Sequence, residues 1–253
     1  MAKIVAVANQ KGGVGKTTTS VNLCACLATF GKKILLVDCD PQGNATSGFG
    51  INKSELGQTI YDVLINNSEI HGTIKHTEYG VDVLPSSIEL AGAEVELVAA
   101  ISRETRLKKA LSSMREEYDY IFIDCPPSLG LLTLNSLAAA DSVLMPIQCE
   151  FYALEGVTQL MNTIQLVRNN LNPDITVEGV LMTMYDSRTK LSEQVVDEVK
   201  RNFGDAVYQI LIPRNVRLSE APSYGQPIIA YDSSSRGAEE YMKLAKEVIQ
   251  RGE

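Results

Sequence analysis

The sequence predicts a doubly wound α/β fold, a mostly parallel sheet flanked by helices. Three observations lead there. Short β-branched runs alternate with helical patterns almost from end to end, several of those runs are apolar on both faces, and the first feeds a glycine loop that opens a helix. With 253 residues, 45% of them hydrophobic, the chain is expected to form one domain, 1–253, around one large core.

In chain order, the strand-like runs are "KIVAVA" (3–8), "KILLVD" (33–38), "VDVLP" (81–85), "YIFID" (120–124), "SVLMPI" (142–147), "TVEGVLMTM" (176–184) and "AVYQILI" (206–212). Helices are predicted between and after them, over 16–30, about 59–66, about 103–117, 129–140, 153–170, 189–203 and 236–251. The first of these ends at Gly31, a residue suited to stopping a helix. Residues 41–58, rich in Gly, Asn and Ser, read as a mobile loop beside the site. There is no repeat, no low-complexity segment and no linker. In such a sheet the ligand lies beyond the carboxyl ends of the strands.

Composition narrows the function. A net charge of -8 and a pI near 5.0 argue against a protein that coats nucleic acid with its whole surface, so any basic patch must be local. The five cysteines sit in apolar stretches without CxxC spacing and read as buried free thiols in a reducing compartment. "MAKIVAVANQ" is too short an apolar run for a signal peptide, and no segment approaches about 18 uninterrupted apolar residues, so a cytoplasmic protein is expected.

The chemistry begins at "NQKGGVGKTTT" (9–19). A strand, a glycine loop and a helix in that order form a phosphate-binding P-loop: the backbone N–H groups of Gly12, Gly13, Val14, Gly15 and Lys16 make an anion nest at a helix N-terminus. Lys16 would reach the β and γ phosphates of ATP, Thr17 would ligate Mg2+ and Thr18 would contact the α phosphate. The loop departs from the usual pattern, because Gln10 stands where its first glycine belongs and an additional lysine, Lys11, follows.

Two further strands end in acids. "LLVDCDPQGNAT" carries Asp38 and Asp40 two apart, which in a strand would face the same way toward the phosphates. Asp40 is read as positioning and activating the attacking water, and Asp38 as outer support of the metal site. "YIFIDCPPSLG" has the pattern of a Walker B aspartate, making Asp124 a Mg2+ partner through water, with Pro126, Pro127 and Gly130 in a constrained loop that could sense the γ phosphate.

With these residues assembled, the chain resembles the ParA/Soj chromosome-partitioning ATPases, within the deviant Walker A group of P-loop NTPases (SIMIBI type) that includes MinD. The matching strings are "KGGVGKTTT", "LLVDCDPQGNATSG", "YDYIFIDCPPSLGLLTLNSL", "PIQCEFYALEG" and "IPRNVRLSEAPSYGQPI", spanning residue 3 to about 230. The resemblance implies a homodimer that sandwiches ATP, with Lys11 crossing to the partner subunit's phosphates like a finger supplied in trans. Side chains on the outer face at Gly12 and Gly13 would obstruct that approach. It also implies adenine contacts by Pro213 and Asn215, sequence-independent binding of double-stranded DNA in a nucleoid-associated protein, a ParB/Spo0J-like partner that stimulates hydrolysis, and DnaA as a further candidate partner. The chain carries no added N-terminal DNA-binding segment, which points toward the chromosomal rather than the plasmid type.

For DNA, residues 188–217 hold six basic side chains against four acidic ones. Arg188 and Arg217 lead, because the family pattern carries arginines in "YDSR" and "RNVR"; Lys190, Lys200, Arg201 and Arg236 are secondary candidates. Dimerisation would double the patch.

Three other readings compete. A MinD-like membrane-positioning ATPase would need an amphipathic anchor, and "GAEEYMKLAKEVIQRGE" does align Tyr241, Leu244, Ala245, Val248 and Ile249; its acidic start and lack of Trp or Phe favour packing on the core instead. An iron–sulfur protein would need paired cysteines, and Cys125 has no matching second one. No motif demands the carboxylic substrate pocket of an amidoligase.

Overall fold

The computed structural model describes residues 1–150 and 153–252. Its eight strands are β1 (Lys3–Val7), β2 (Ile34–Asp38), β3 (Lys75–His76), β4 (Val81–Leu84), β5 (Tyr120–Asp124), β6 (Ser142–Gln148), β7 (Thr176–Tyr185) and β8 (Val207–Pro213). They form one sheet in the order β3-β4-β2-β5-β1-β6-β7-β8. Every neighbour pair is parallel except β3 with β4.

The helices are α1 (Lys16–Thr29), α2 (Asn44–Gly48), α3 (Ile60–Ile65), α4 (Ile70–Thr73), α5 (Leu90–Glu96), α6 (Arg106–Leu111), α7 (Leu131–Ala139), α8 (Ala153–Asn170), α9 (Lys190–Phe203), α10 (Val216–Glu220), α11 (Ile228–Tyr231) and α12 (Arg236–Gly252). Strand alternation splits the core in two: Ile4 and Ala6 of β1 join the apolar cluster under α3 and α5–α9, while Val5 and Val7 join the one under α1, α11 and α12. Each fully buried Leu or Ile in these layers contributes roughly 1.5–3 kcal/mol. That explains why β1, β2 and β5 read as continuous apolar runs.

β1 lies between β5 and β6 at the centre of the sheet. The chain leaves β1 toward β2 on one side and later crosses from β5 to β6 on the other, so strand order reverses beside β1 and opens a crevice at its carboxyl end. Register brings three strand ends level there, because Asp124 pairs with both Val7 and Asp38.

Several expectations are modified. The predicted loop 41–58 contains α2 and a turn of 3-10 helix at Lys53–Glu55. The predicted helix 103–117 is α6 followed by a 3-10 segment, Ser112–Glu116. α5 was not foreseen, because "LAGAEVE" is 7 residues long with only Leu90 and Ala93 buried, too short a run for a helical period to stand out. α12 buries Tyr241, Leu244, Ala245 and Val248 against α1 and β8, so its apolar face is spent inside the molecule. Among the described residues no helix is long and apolar enough to cross a membrane. Phe151 and Tyr152 of the string "PIQCEFYALEG" lie outside the described residues.

Candidate active site

Where β1 stops, Asn9 starts the loop: its side-chain amide donates to the Pro146 carbonyl (2.7 Å) and its Oδ1 accepts from the Lys11 N–H (3.0 Å). The loop is thereby tied to the end of β6. Gly13 and Gly15 have φ of 74° and 90°, the left-handed region that a side chain disfavours. Gly15 also opens α1 with no side-chain cap, leaving the first helical N–H groups of Lys16, Thr17 and Thr18 for a ligand. The buried Val14 offers its carbonyl to the Thr183 hydroxyl (2.8 Å), which pins the loop to β7.

The two lysines occupy different environments. Lys16 is 7% exposed and its Nζ donates to the Lys11 carbonyl (3.3 Å). Burial pushes its pKa down, opposed by the negative potential of Asp124 and Asp40. Lys11 stands on the rim, its Nζ 3.4 Å from Glu150, an acid that also draws Arg214 to 3.7 Å. A Cβ added at Gly12 or Gly13 would meet nothing within 4 Å, so the loop beside Lys11 faces open space.

The acids sit deeper. Asp124, fully buried, accepts the Thr17 hydroxyl on one oxygen and the Ser20 hydroxyl on the other, both at 2.8 Å. Asp38, equally buried, accepts the N–H and the hydroxyl of Thr46 at 2.7 Å each, and the Asp40 N–H at 3.3 Å. Burial pushes both carboxyls above the usual range, and at Asp124 the neighbouring Asp38 adds to it.

The structure corrects one expectation here: β2 ends at Asp38, so Asp40 lies in the turn beyond it and does not share a strand face with Asp38. Asp40 is held by that turn. Its Oδ1 accepts the Gln42 N–H (2.9 Å) and its carbonyl accepts the Ser86 hydroxyl (2.8 Å), while the Ser86 N–H donates to the Thr46 hydroxyl (2.9 Å). A continuous chain therefore runs from Asp38 through Thr46 and Ser86 to Asp40.

The glycine loop, Lys16 and Asp40 line a cavity of about 600 Å³ bounded by Gly12, Gly13, Gly15, Lys16, Thr17, Thr18, Asp40, Pro126 and Pro127. A second, smaller cavity of about 160 Å³ adjoins it past Gly15 and Thr18 and holds Pro213, Arg214 and Asn215. Met184, left-handed at φ 52°, lines both and marks their junction. The structure thus gathers Lys16, Thr17, Thr18, Asp38, Asp40, Asp124, Pro213 and Asn215 around one crevice, with Lys11 at its rim.

Arg188 and Arg217 lie outside it. Arg188 makes a two-pronged pair with Asp186 (2.9 and 2.7 Å), and Arg217 reaches Glu220 (2.8 Å) and Asp232 (3.4 Å). Both are exposed, yet each already has carboxylate partners. Charge counting along 188–217 missed this, because Glu220 and Asp232 fall beyond that window and Asp186 just before it. Asn9, Ser20, Thr46, Ser86, Thr183 and Met184 were also missed; only Asn9, a polar residue directly after an apolar strand, left a local signal.

A glycine loop with a buried lysine at a helix start, facing two buried strand-end aspartates at a topological switch point, defines a P-loop nucleotide-binding protein. Comparison with known proteins agrees. A family model described as "AAA domain" matches residues 2–177. The chain is 62% identical to the sporulation initiation inhibitor protein Soj of Bacillus subtilis over 253 residues, covering all of both. It is 51% identical to the chromosome partitioning protein ParA of Caulobacter vibrioides, over 98% of this chain and 94% of that one. Among solved structures, cobyrinic acid a,c-diamide synthase from Mycobacterium smegmatis, with a bound ATP analogue and magnesium, is 39% identical with a TM-score of 0.88 over 100% of this chain and 96% of that one. The chain belongs to the ParA/Soj family of chromosome-partitioning ATPases.

Proposed function

We propose that residues 1–253 work as one Mg2+-dependent ATPase whose ATP-bound homodimer holds double-stranded DNA without sequence preference, in the cytoplasm at the nucleoid, and is released when a ParB/Spo0J-like partner stimulates hydrolysis. The observation that carries this reading is the division of labour between the lysines. Lys16 is buried in its own loop, while Lys11 stands on an open rim in a half-exposed ion pair with Glu150. Exposed pairs are worth about 0–1 kcal/mol, so Lys11 can exchange Glu150 for a phosphate brought by a second subunit at little cost.

Within one subunit, the loop N–H groups and Lys16 would hold the phosphates, Thr18 the α phosphate, and Pro213 with Asn215 the base in the smaller cavity. Asp40, fixed by Gln42 and Ser86, would position the attacking water. A hard divalent cation fits the donors present. The Thr17 hydroxyl and Asp124, already in contact, would supply oxygen donors, and Asp38 would add a second buried negative charge. When bound, magnesium would neutralise charge on the β and γ phosphates.

Sedimentation and ATPase rate, each with and without duplex DNA, test this. Wild type with ATP should sediment as a DNA-bound dimer. Lys11→Ala should bind ATP within a few-fold of wild type yet fail to dimerise productively. A Lys11→Ala protein that dimerised and hydrolysed normally would remove the role in trans.

A further inference from the structure

The segment after the Asp40 turn and the segment after Asn215 meet at a pair of glycines, Gly50 and Gly225. Both are left-handed, at φ 74° and 64°. A methyl group on Gly225 would stand 2.7 Å from the Gly50 Cα and 3.1 Å from its nitrogen, and one on Gly50 would stand 3.1 Å from the Gly225 carbonyl oxygen. Backbone therefore lies directly on backbone, an approach that only glycine permits. Gly50 donates its N–H to the Ser47 carbonyl in α2 (2.9 Å), and Gly225 donates to the Pro222 carbonyl (3.1 Å), so each glycine is fixed to its own short helix.

Each glycine leads to one half of the crevice. Asn215 caps α10, its Oδ1 accepting the Arg217 N–H (2.8 Å), and with Leu218 and Ser219 it lines the smaller cavity; a 3-10 turn, Ala221–Tyr224, then runs on to Gly225. On the other side α2 carries Thr46, which holds Asp38 and accepts the Ser86 N–H, and the Ser86 hydroxyl holds the Asp40 carbonyl. The α10 side is backed firmly. A methyl group on Gly237 of α12 would stand 2.8 Å from the Leu218 Cγ, and the Ile228 N–H is held by the buried Asn22 of α1 (2.6 Å). A shift of α10 is thus not absorbed behind it and presses on Gly50. Among the described residues, 41–58 contributes nothing to the lining of the smaller cavity, so any influence of that cavity on the Asp40 turn has to be transmitted.

We infer that the Gly50–Gly225 contact couples the occupant of the smaller cavity to the Asp40 turn, which makes both glycines positioning residues through which the identity of the base sets the rate of hydrolysis. The inference rests on the proposed placement of adenine and of the attacking water. A base that seats against Asn215 fixes α10, and through the glycines it fixes α2, so that Thr46, Ser86 and Asp40 hold the geometry the water needs. A base that seats badly leaves α2 free to shift. The triphosphate is held by the glycine loop and Lys16, which the glycine pair does not touch, so the effect belongs to kcat and not to KM.

The test measures kcat and KM with ATP and with GTP for wild type, Gly50→Ala and Gly225→Ala. Wild type should favour ATP in kcat by about tenfold or more. Each Ala variant should lose about that factor with ATP and little with GTP, at KM values within a few-fold of wild type, so that the preference collapses. A merely structural contact would slow both nucleotides alike; that result, or an unchanged rate with ATP, overturns the inference. Hydrogen exchange on wild type supplies a measurement that does not depend on the variants folding. Adenosine, which carries no phosphate, should slow exchange of the Ser47, Gly50 and Ile51 amides more than guanosine does. No such protection, or protection that survives in a folded Gly225→Ala, overturns the relay. Failure of the underlying reading shows elsewhere and would take the inference with it: equal kcat for ATP and GTP in wild type removes the placement of adenine, and undiminished hydrolysis in Asp40→Ala removes the water-positioning role. Failure of the relay alone leaves both of those results as expected.

Discussion

The two sides of β1 hold their charges in opposite ways. Toward β2 and β5, Asp38 and Asp124 are fully buried, and each carboxylate is held by short bonds from neutral hydroxyl or N–H groups of Thr46, Thr17 and Ser20. Toward β7 and β8, the half-exposed Lys11 and the exposed Arg188 and Arg217 rest on nearby carboxylates. A buried charge cannot change partners without paying a desolvation cost of several kcal/mol, whereas an exposed pair is worth at most about 1 kcal/mol. The first side is therefore suited to chemistry that must not move, and the second to contacts that form and dissolve with assembly.

The largest test of that contrast is Asp40→Ala. If the buried side carries the chemistry alone, hydrolysis should fall by about a hundred- to ten-thousand-fold while ATP binding and the dimer persist, trapping the protein on DNA. ATPase rate and sedimentation measure both. Normal hydrolysis in Asp40→Ala would remove the water-positioning role. Next in size, Arg188→Glu and Arg217→Glu should each weaken duplex retention at low salt by at least about tenfold with ATP binding intact. Unchanged DNA affinity in both would move the DNA surface elsewhere.

Thr46→Val tests the rigidity of the buried side. It removes one hydrogen bond to Asp38 and the acceptor of the Ser86 N–H, while the Thr46 N–H still reaches Asp38. The expected cost is about 1–3 kcal/mol, measured by urea unfolding. Hydrolysis should drop as well, because Ser86 also holds the Asp40 turn. Thr46→Ser keeps the hydroxyl and should recover both. Loss of stability with full activity would mean that Asp40 keeps its place without this chain.

The same division governs what was legible in the sequence. Lys16, Thr17, Asp124 and the mostly parallel, doubly wound sheet around them could be read because each lies in a short string whose chemistry and position along a strand or helix are local. Thr46, Ser86 and Ser20 could not, since their bonds join residues far apart in the chain and a Ser or Thr carries no mark of its partner. Asp40 was misplaced on the strand, because a period-2 reading does not say where a strand ends. α5 was invisible for a physical reason: in a helix of 7 residues with only Leu90 and Ala93 buried, the apolar positions are too few to set up the periodicity by which helices are recognised.

The smallest effect probes the exposed side directly. Asp186 sits two residues from Arg188 and accepts both N–H groups of one guanidinium edge, Nε and Nη2, and those bonds keep the Asp186 carboxyl far below the usual range. The pair is thus intact throughout the neutral range and competes with any DNA phosphate for Arg188. Asp186→Asn leaves an acceptor but removes the charge, and should raise affinity for duplex DNA by about two- to fivefold, the value of one exposed pair. Salt-titrated DNA retention with ATP measures it. A fall in affinity would mean that Asp186 aims the arginine at the phosphate instead of withholding it, and the exposed side would then share the fixed geometry of the buried one.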